Sequence, residues 1–169
     1  MATLTTQPIN PNFLSQINMR FTLKRAPNLS FFAVGAELPS LTMDVIEQPT
    51  SFITLPLHGS KIKYDDFTLT FKVQEDFSNY LEIYEWMNGI GFPDDFTGFP
   101  KIQSGDGVYS DGTLTVHTSA KNPNMEFTFI NMFPYHLGGL TFDVQSENVE
   151  EMNCSVTFKY QRFYMKKVD

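Results

Sequence analysis

The strictest alternation of apolar and polar residues in the chain runs from position 67 to position 73. The apolar positions are Phe67, Leu69, Phe71 and Val73, and the polar positions between them are Thr68, Thr70 and Lys72. Successive side chains of a β-strand point to opposite faces of its sheet, so this run predicts a strand with one buried and one exposed face. The acidic pair Asp65-Asp66 precedes it and is typical of a turn.

A helical pattern follows this strand directly. Its apolar positions, three or four residues apart, are Tyr80, Leu81, Ile83, Tyr84 and Met87. This spacing predicts a helix over Tyr80–Asn88 that carries Trp86 and ends at Gly89, with Pro93 just beyond it. We expect the apolar face of the strand to pack against this helix.

Shorter runs of the same kind predict further strands. They lie at about residues 19–23, 30–39, 41–46, 113–118, 125–131, 140–144 and 154–165, with a bend at 133–139. Many short strands with a single helix predict a mainly β fold. The expected architecture is an antiparallel β-sandwich or barrel with one α-helix packed against it.

Three segments do not fit this pattern. Residues 1–17 are polar, contain two prolines and read as an N-terminal arm, which leaves residues 18–169 as a single β domain. Residues 44–60 contain Pro49, Pro56 and Gly59 and predict a long loop that leaves the sheet. Residues 94–112 are rich in Gly, Asp and Ser and predict a second long loop.

Composition narrows the functional classes. Hydrophobic residues make up 41% of the 169 and charged residues only 18%, which is typical of a folded globular protein. The net charge of −7 argues against a protein that binds nucleic acid by neutralising phosphates. The N-terminus lacks the basic and apolar regions of a signal peptide, and no apolar run is long enough to span a membrane. We therefore expect a protein that is made in the cytosol and leaves it only by lysis.

The candidate chemistry is sparse. Cys154 is the only cysteine, so an intrachain disulfide is impossible, and its strand-like surroundings predict a buried, inert thiol. The three histidines lie far apart in sequence and form no metal-binding motif; they are His58, His117 and His136.

The carboxylate pairs predict turns and caps rather than acid–base catalysis. Adjacent residues on a strand point to opposite faces, so neither Asp65-Asp66 nor Asp94-Asp95 is expected to form a catalytic dyad. The segment Asp106–Gly112 resembles a calcium loop only loosely, because a third oxygen ligand and the closing glutamate are missing. We expect no cofactor, no metal site and no enzymatic activity.

The order of these motifs resembles the tail-tube protein family of contractile-tailed bacteriophages, with a more distant similarity to the ring proteins of type VI secretion. The matching segments are Leu38-Pro39, Gly59–Ile62, Asp65–Phe71, Tyr80–Asn88, Phe129–Pro134, Gly138–Asp143 and the last alternating strand with Val156, Phe158 and Tyr160. Together they cover nearly the whole chain from Met19, and their order and spacing carry the resemblance.

The resemblance implies a structural protein of the virion tail, made in the host cytoplasm. It implies a hexameric ring in which strands of six subunits join into one barrel around a channel, with rings stacked head to tail. The partners implied are further copies of the chain and other tail proteins such as the sheath, the baseplate or the tail terminator. DNA would pass through the channel during ejection and be repelled by acidic walls rather than bound.

The N-terminal arm and the 94–112 insertion depart from a plain tube subunit. They leave open a tube initiator or another baseplate or tail-tip ring with the same fold. A carbohydrate- or calcium-binding β-sandwich module is a further alternative, and an enzyme is the weakest one. The candidate assembly contacts are Phe13, Leu14, Phe52, Leu57, Thr68, Thr70, Lys72, Arg162 and Lys166.

Overall fold

A computed structural model of the chain describes residues 13–14, 18–91, 107–143 and 151–168. Within these ranges the chain forms nine β-strands and two α-helices. In chain order they are β1 (Met19–Leu23), α1 (Pro27–Phe31), β2 (Ala33–Glu37), β3 (Leu41–Pro49), β4 (Thr54–Tyr64), β5 (Phe67–Lys72), α2 (Ser78–Gly91), β6 (Ser110–His117), β7 (Pro123–Leu137), β8 (Asn153–Lys159) and β9 (Arg162–Lys167).

Seven of these strands form one antiparallel sheet that folds over on itself. Its order is β1-β6-β7-β8-β5-β2, and β9 pairs with β7 in addition. The long strand β7 belongs to both halves: its first part pairs with β6 and β9, and its last part pairs with β8. The two halves form a sandwich, as the sequence predicts, and the described strands do not close into a barrel because β1 and β2 are not paired with each other.

Asn131 lies at the point where β7 changes partners. Its backbone φ is 54°, a left-handed conformation that asparagine tolerates better than most residues. Its backbone N–H donates to Oδ1 of Asp111 at 3.0 Å, which compensates for the ladder hydrogen bond that the register shift removes. This local contact allows one strand to serve both halves of the sandwich.

The core between the two halves is built mainly from phenylalanine. The ring of Phe67 on β5 lies 5.2 Å from that of Phe21 on β1 and 4.7 Å from that of Phe129 on β7, measured between centroids. Phe67, Leu69 and Phe71 are all fully buried, and the residues between them on β5 are half-buried. The alternation predicted from the sequence therefore sets the inner face of β5.

Helix α2 packs against the sheet through one of its faces. Ile83 and Trp86 are buried, and the Trp86 ring lies 6.3 Å from the Phe158 ring on β8. The helix continues beyond the predicted end at Gly89 and reaches Gly91, and Gly89 is buried within it. The predicted packing of the helix against the sheet is confirmed, but the ring that Trp86 meets lies on β8, whereas the sequence predicted contact with the strand that became β5. The helix also ends two residues beyond the predicted Gly89.

The prediction of a long loop at 44–60 is wrong. β3 and β4 pair antiparallel over most of their length, so residues 41–64 form a hairpin with a short turn at its tip. Both prolines are accommodated in the ladder, since Pro49 faces Thr54 at the end of β3 and Pro56 faces Glu47. No other described strand pairs with this hairpin, so both of its strands are edge strands, which tolerate the missing proline N–H.

Two further boundaries near the N-terminus differ from the prediction. The strand expected at 30–39 is shorter, because α1 occupies Pro27–Phe31 and β2 begins only at Ala33. Pro27 sits in the first turn of α1, where its missing N–H costs no intrahelical hydrogen bond. In the expected loop at 94–112, β6 already begins at Ser110; residues 92–106 lie outside the described residues.

The C-terminal third also differs from the prediction. The bend expected at 133–139 is part of β7 up to Leu137, with a register shift beside Pro134. Residues 140–143 form no strand, and 144 lies outside the described residues. The single strand expected over 154–165 is two strands, β8 and β9, which turn at Tyr160 and Gln161 and pair with different parts of β7.

Candidate assembly interface

The β3–β4 hairpin carries more exposed large apolar side chains than any other part of the described chain. Gly59 is its only fully buried residue. Nine large apolar side chains along it are exposed, and they are Leu41, Met43, Val45, Ile46, Phe52, Ile53, Leu55, Leu57 and Ile62. An isolated two-stranded hairpin is only marginally stable in water, and large exposed apolar patches mark interaction surfaces. The hairpin is therefore an arm suited to contact another molecule.

The arm is fastened to the body at its base. The Tyr64 ring meets the rings of Tyr160 and Phe163 edge-on at 6.1 and 5.6 Å. The Asp65 N–H donates to the Ser40 carbonyl at 3.2 Å, and the Tyr160 hydroxyl donates to the Asp65 carbonyl at 2.7 Å. Among the described strands, β3 and β4 pair only with each other, so the rest of the arm projects from this base.

A close approach at Gly59 sets the register of the arm. A Cβ atom at this position would lie 2.2 Å from the backbone oxygen of Asp44, at the register shift between Met43 and Val45. Only glycine fits there without moving the backbone. Asp44 also bonds Lys63 across the two strands at 2.7 Å, and this hydrogen bond raises the pKa of the Lys63 ammonium.

The sheet offers a second kind of interaction surface in its unpaired edges. The half of the sandwich ordered β1-β6-β7-β9 has β1 at one end and β9 at the other, and no described strand pairs with their outer edges. On β9 the exposed side chains include Arg162, Tyr164 and Lys166, and the Arg162 guanidinium lies 4.8 Å from the centre of the Tyr164 ring. Open edges of this kind pair readily with another strand.

A small charged cluster lies where the arm joins the body. The Tyr135 hydroxyl donates to Oδ2 of Asp66 at 2.6 Å, and Lys159 forms an ion pair with the other carboxylate oxygen. The hydrogen bonds from Lys159 and Tyr135 hold the pKa of the Asp66 carboxyl below its usual value. The same contacts raise the pKa values of Lys159 and Tyr135. The cluster ties β5, β7 and β8 together on the surface of the sheet.

The nine candidate contacts from the sequence lie on separate surfaces. Phe52 is 97% exposed at the tip of the arm, and Leu57 is exposed on β4. Thr68, Thr70 and Lys72 line the outer face of β5, where Lys72 pairs with Glu151. Arg162 and Lys166 lie on β9, and Phe13 and Leu14 are exposed ahead of β1.

Sequence reasoning missed most of the apolar residues of the arm, such as Val45, Ile46 and Ile62. Pro49 and Pro56 favour a loop, although the residues on either side of them include Leu, Val and Ile in the density expected of strands. That density was the signal that could have identified the hairpin.

The described residues hold no arrangement that points to catalysis. Among them, no three His, Cys, Asp or Glu side chains are grouped so that they could hold a metal ion. His58 lies on β4 and His136 on β7, where a loop and a bend were expected, and His117 ends β6. Cys154 is buried as predicted, burial raises the pKa of its thiol, and the thiol donates to the Gly138 carbonyl at 3.3 Å. Neither described helix is long and apolar enough to cross a membrane.

Comparison with solved structures shows where this fold occurs. The tube-terminating cap of the anti-feeding prophage has a TM-score of 0.69 at 17% identity, over 99% of this chain and 100% of that one. A chain of the extended sheath–tube complex of an extracellular contractile injection system, PVC, has a TM-score of 0.67 at 16% identity, over 94% of each chain. A chain of the anti-feeding prophage baseplate has a TM-score of 0.64 at 13% identity, over 94% of this chain and 97% of that one. At these identities the likeness shows a shared fold.

None of the curated proteins compared with the chain matches it. The sequence profile of phage tail tube proteins, by contrast, matches residues 4–166, nearly the whole chain. This match confirms the resemblance drawn from the order of motifs and the expectation of a structural protein rather than an enzyme. It also leaves a sugar- or calcium-binding module without support. The chain belongs to the phage tail tube protein family.

Proposed function

We propose that the protein forms hexameric rings that stack into the tube of a contractile tail, the conduit through which DNA is ejected. The observation that carries this proposal is the β3–β4 arm, whose exposed apolar residues find no partner among the described residues of their own chain. A second copy of the chain supplies such a partner at every position of a repeating assembly. The N-terminal Phe13 and Leu14 belong to the same set of assembly contacts.

Ring closure follows from the open edges of the sheet. If β9 of one subunit pairs with β1 of the next, the four strands β1-β6-β7-β9 continue around the ring and no edge is left exposed. Arg162 and Lys166 on β9 then lie at the boundary between neighbours. Thr68, Thr70 and Lys72 on β5 belong to the other half of the sandwich and remain candidates for the channel or for a neighbouring subunit.

The net charge of −7 supports passage of DNA rather than binding. A polyanion in a channel with a net negative wall is repelled from it at distances up to the Debye length, about 8–10 Å at physiological salt. We expect purified protein to leave a DNA fragment unshifted in a gel even at low ionic strength. Retention of DNA that weakens steeply with salt would contradict this part of the proposal.

Electron microscopy and light scattering of the purified protein test the assembly. The expected result is six-fold rings or tubes, and a mass that is a multiple of six subunits. A variant in which residues 45–57 are replaced by a two-residue turn should keep the fold, as seen by circular dichroism, but lose stacking. A full-length protein that stays monomeric at high concentration would overturn the proposal.

A specialised ring is the second candidate, because the same fold occurs in a baseplate and in a tube-terminating cap. A tube initiator or another baseplate ring would form single rings or short stacks, whereas a main tube protein grows without a fixed length. Tube length in micrographs separates the two. In either case the sheath, the baseplate or the terminator are the expected partners, and the virion tail is the expected location.

A further inference from the structure

The outer edge of β1 presents the backbone groups of its core-facing residues. The Asn18 carbonyl accepts a hydrogen bond from the His117 N–H at 2.9 Å, so Asn18 is bonded toward β6. Bonded and non-bonded pairs alternate along an antiparallel ladder, so the N–H and C=O groups of Met19 and Phe21 point away from β6. No described strand pairs with this side of β1, so these groups can extend the sheet.

The outer edge of β9 has the same phase. The Val168 N–H donates to the Asn124 carbonyl at 2.9 Å, so Val168 is bonded toward β7. By the same alternation, the backbone groups of Phe163 and Met165 point away from β7. Both side chains lie on the core side of the sheet, but Phe163 is buried whereas Met165 is 61% exposed. On both edges, therefore, the core-facing residues are the ones that can pair with another strand.

The direction of the strands and the space beside β1 also suit a second copy. The neighbouring pairs in the order β1-β6-β7-β9 are all antiparallel, so β9 runs opposite to β1 and can form an antiparallel pair with β1 of the next copy. The edge of β1 lies in a groove of about 520 Å³, whose lining also includes Pro27, Phe31 and Ala33. A strand with an apolar core-facing side chain matches this lining.

One end of β1 is closed to pairing, and this limits the register. The Leu23 N–H donates to Oγ of Ser30 at 2.8 Å, so it cannot also donate to a neighbouring strand. A register that pairs Leu23 with Phe163 loses this bond. It also places Lys166 directly opposite Arg20, and like charges in such a pair are destabilising.

The other shifts meet different obstacles. A shift by one residue would place core-facing side chains opposite exposed ones. A register that pairs Phe21 with Lys167 would bring an ammonium group to the core side of the sheet, where an unpaired charge is costly. A register that pairs Arg20 with Arg162 would again oppose two cations. Larger shifts leave almost no overlap between the two strands.

We propose that β9 of one copy pairs with β1 of the next in the one register that avoids all of these costs, with Met165 opposite Met19 and Phe163 opposite Phe21. This inference rests on the proposed ring and specifies how its subunits join. The two residue pairs exchange backbone hydrogen bonds, and the exposed Met165 becomes covered by the neighbour. The joint is therefore fixed in register as well as in direction.

The exposed face of the joint is compatible with this register. Tyr164 lies opposite Arg20 of the next copy, where an aromatic ring and a guanidinium attract each other. Within one copy the Arg162 guanidinium already lies 4.8 Å from the centre of the same ring. Lys166 keeps its place beside Glu126, which it faces across β7 and β9. No two cations stand directly opposite each other.

Disulfide trapping reads the register. In the proposed register Thr22 lies opposite Arg162, at a Cα separation that a disulfide can span. Thr22→Cys mixed with Arg162→Cys under a mild oxidant is expected to give about ten times as much covalent dimer as Thr22→Cys mixed with Tyr164→Cys or with Lys166→Cys. The unmodified chain is the background control, because its Cys154 is buried.

The double variant Thr22→Cys/Arg162→Cys should give a ladder that ends at a closed ring. Within one copy β1 and β9 are separated by β6 and β7, about 14 Å in all, so its two cysteines cannot join each other. More product with Tyr164→Cys or Lys166→Cys would overturn the register. Rings in micrographs without product from any pair would overturn the β9–β1 joint and leave the ring standing, whereas monomers without rings would overturn both.

A double-mutant cycle tests the exposed pair without cysteines. Arg20→Ala and Tyr164→Ala are each expected to raise the protein concentration needed for ring formation about three-fold, the factor that a cation–π contact at an exposed site supplies. The double variant should lose little more than either single variant, and Tyr164→Phe should behave as the native protein. Additive losses, or easier ring formation in Lys166→Ala, would show that Arg20 faces a different residue.

Discussion

At the scale of single residues, Asn79 is the buried polar group that fastens α2 to the sheet. Its side-chain amide donates to the Lys72 carbonyl at 2.7 Å, and its Oδ1 accepts from the Gln74 N–H at 3.2 Å. The side chain is fully buried, so both backbone groups depend on it for a partner. One side chain thus provides hydrogen-bond partners for a backbone carbonyl at the end of β5 and a backbone N–H in the segment that leads into the helix.

Substitution Asn79→Ala should therefore destabilise the protein more than an ordinary polar-to-alanine change. Leaving buried backbone groups unpaired costs about 1–3 kcal/mol, which corresponds to a fall in Tm of roughly 4–8 °C at the middle of that range for a chain of this size. Urea unfolding followed by tryptophan fluorescence measures the difference. Glu85→Ala on the exposed side of α2 is the control, and an equal effect of the two would contradict the role given to Asn79.

The Asp66 cluster gives a prediction for pH. The pKa of this carboxyl is lower in the folded protein than in the unfolded chain, so its contribution to stability is present above the unfolded value, near 4, and is lost as pH falls through the folded value. The stability gap between the native protein and Asp66→Asn should be largest near neutral pH and shrink below about pH 4. Unfolding curves at several pH values measure this gap. A gap that is constant with pH would show that the carboxylate is not held by Lys159 and Tyr135.

At the scale of secondary-structure elements, β3 and β4 form a sheet of their own, so we expect damage to the arm to leave the core folded. The clash at Gly59 makes Gly59→Ala a test of this, because the new methyl group would meet backbone atoms of Asp44. We expect the variant to lose assembly while its core unfolds within about 1 kcal/mol of the native protein, since the affected strands lie outside the main sheet. Gly91→Ala is the matched control, because a methyl group there meets nothing within 4 Å. Loss of the whole fold in Gly59→Ala would contradict the separation of arm and core.

The helices and strands differ in how well they could be predicted from the sequence alone. The inner face of β5 and the existence of α2 were predictable, since both have a clear period and bury one face. The β3–β4 arm was predictable only in part: its density of Leu, Val and Ile is typical of strands and the start of β3 was predicted, but both of its faces are exposed, so no alternation marks how far the strands extend. The change of partner in β7 was also hidden, because it depends on a bulge beside Asn131 and on pairing with residues far along the chain.

At the scale of the whole molecule, the described structure is incomplete as a monomer. It buries an aromatic core between two half-sheets, yet it leaves an apolar arm and two sheet edges without partners among the described residues. Membership of the tail tube family and the proposed ring account for both features at once. The sequence predicted the family. The contact residues that it suggests stay predictions, and their distribution over separate surfaces depends on tertiary structure.

Cryo-electron microscopy of the purified, full-length protein tests this account most directly. The account predicts six-fold rings, stacked in one direction, with the β3–β4 arm of each subunit buried against another copy and continuous pairing of strands around the channel. Monomers in which the arm is free in solution, or rings in which the arm and the outer edges of β1 and β9 all face solvent, would contradict it.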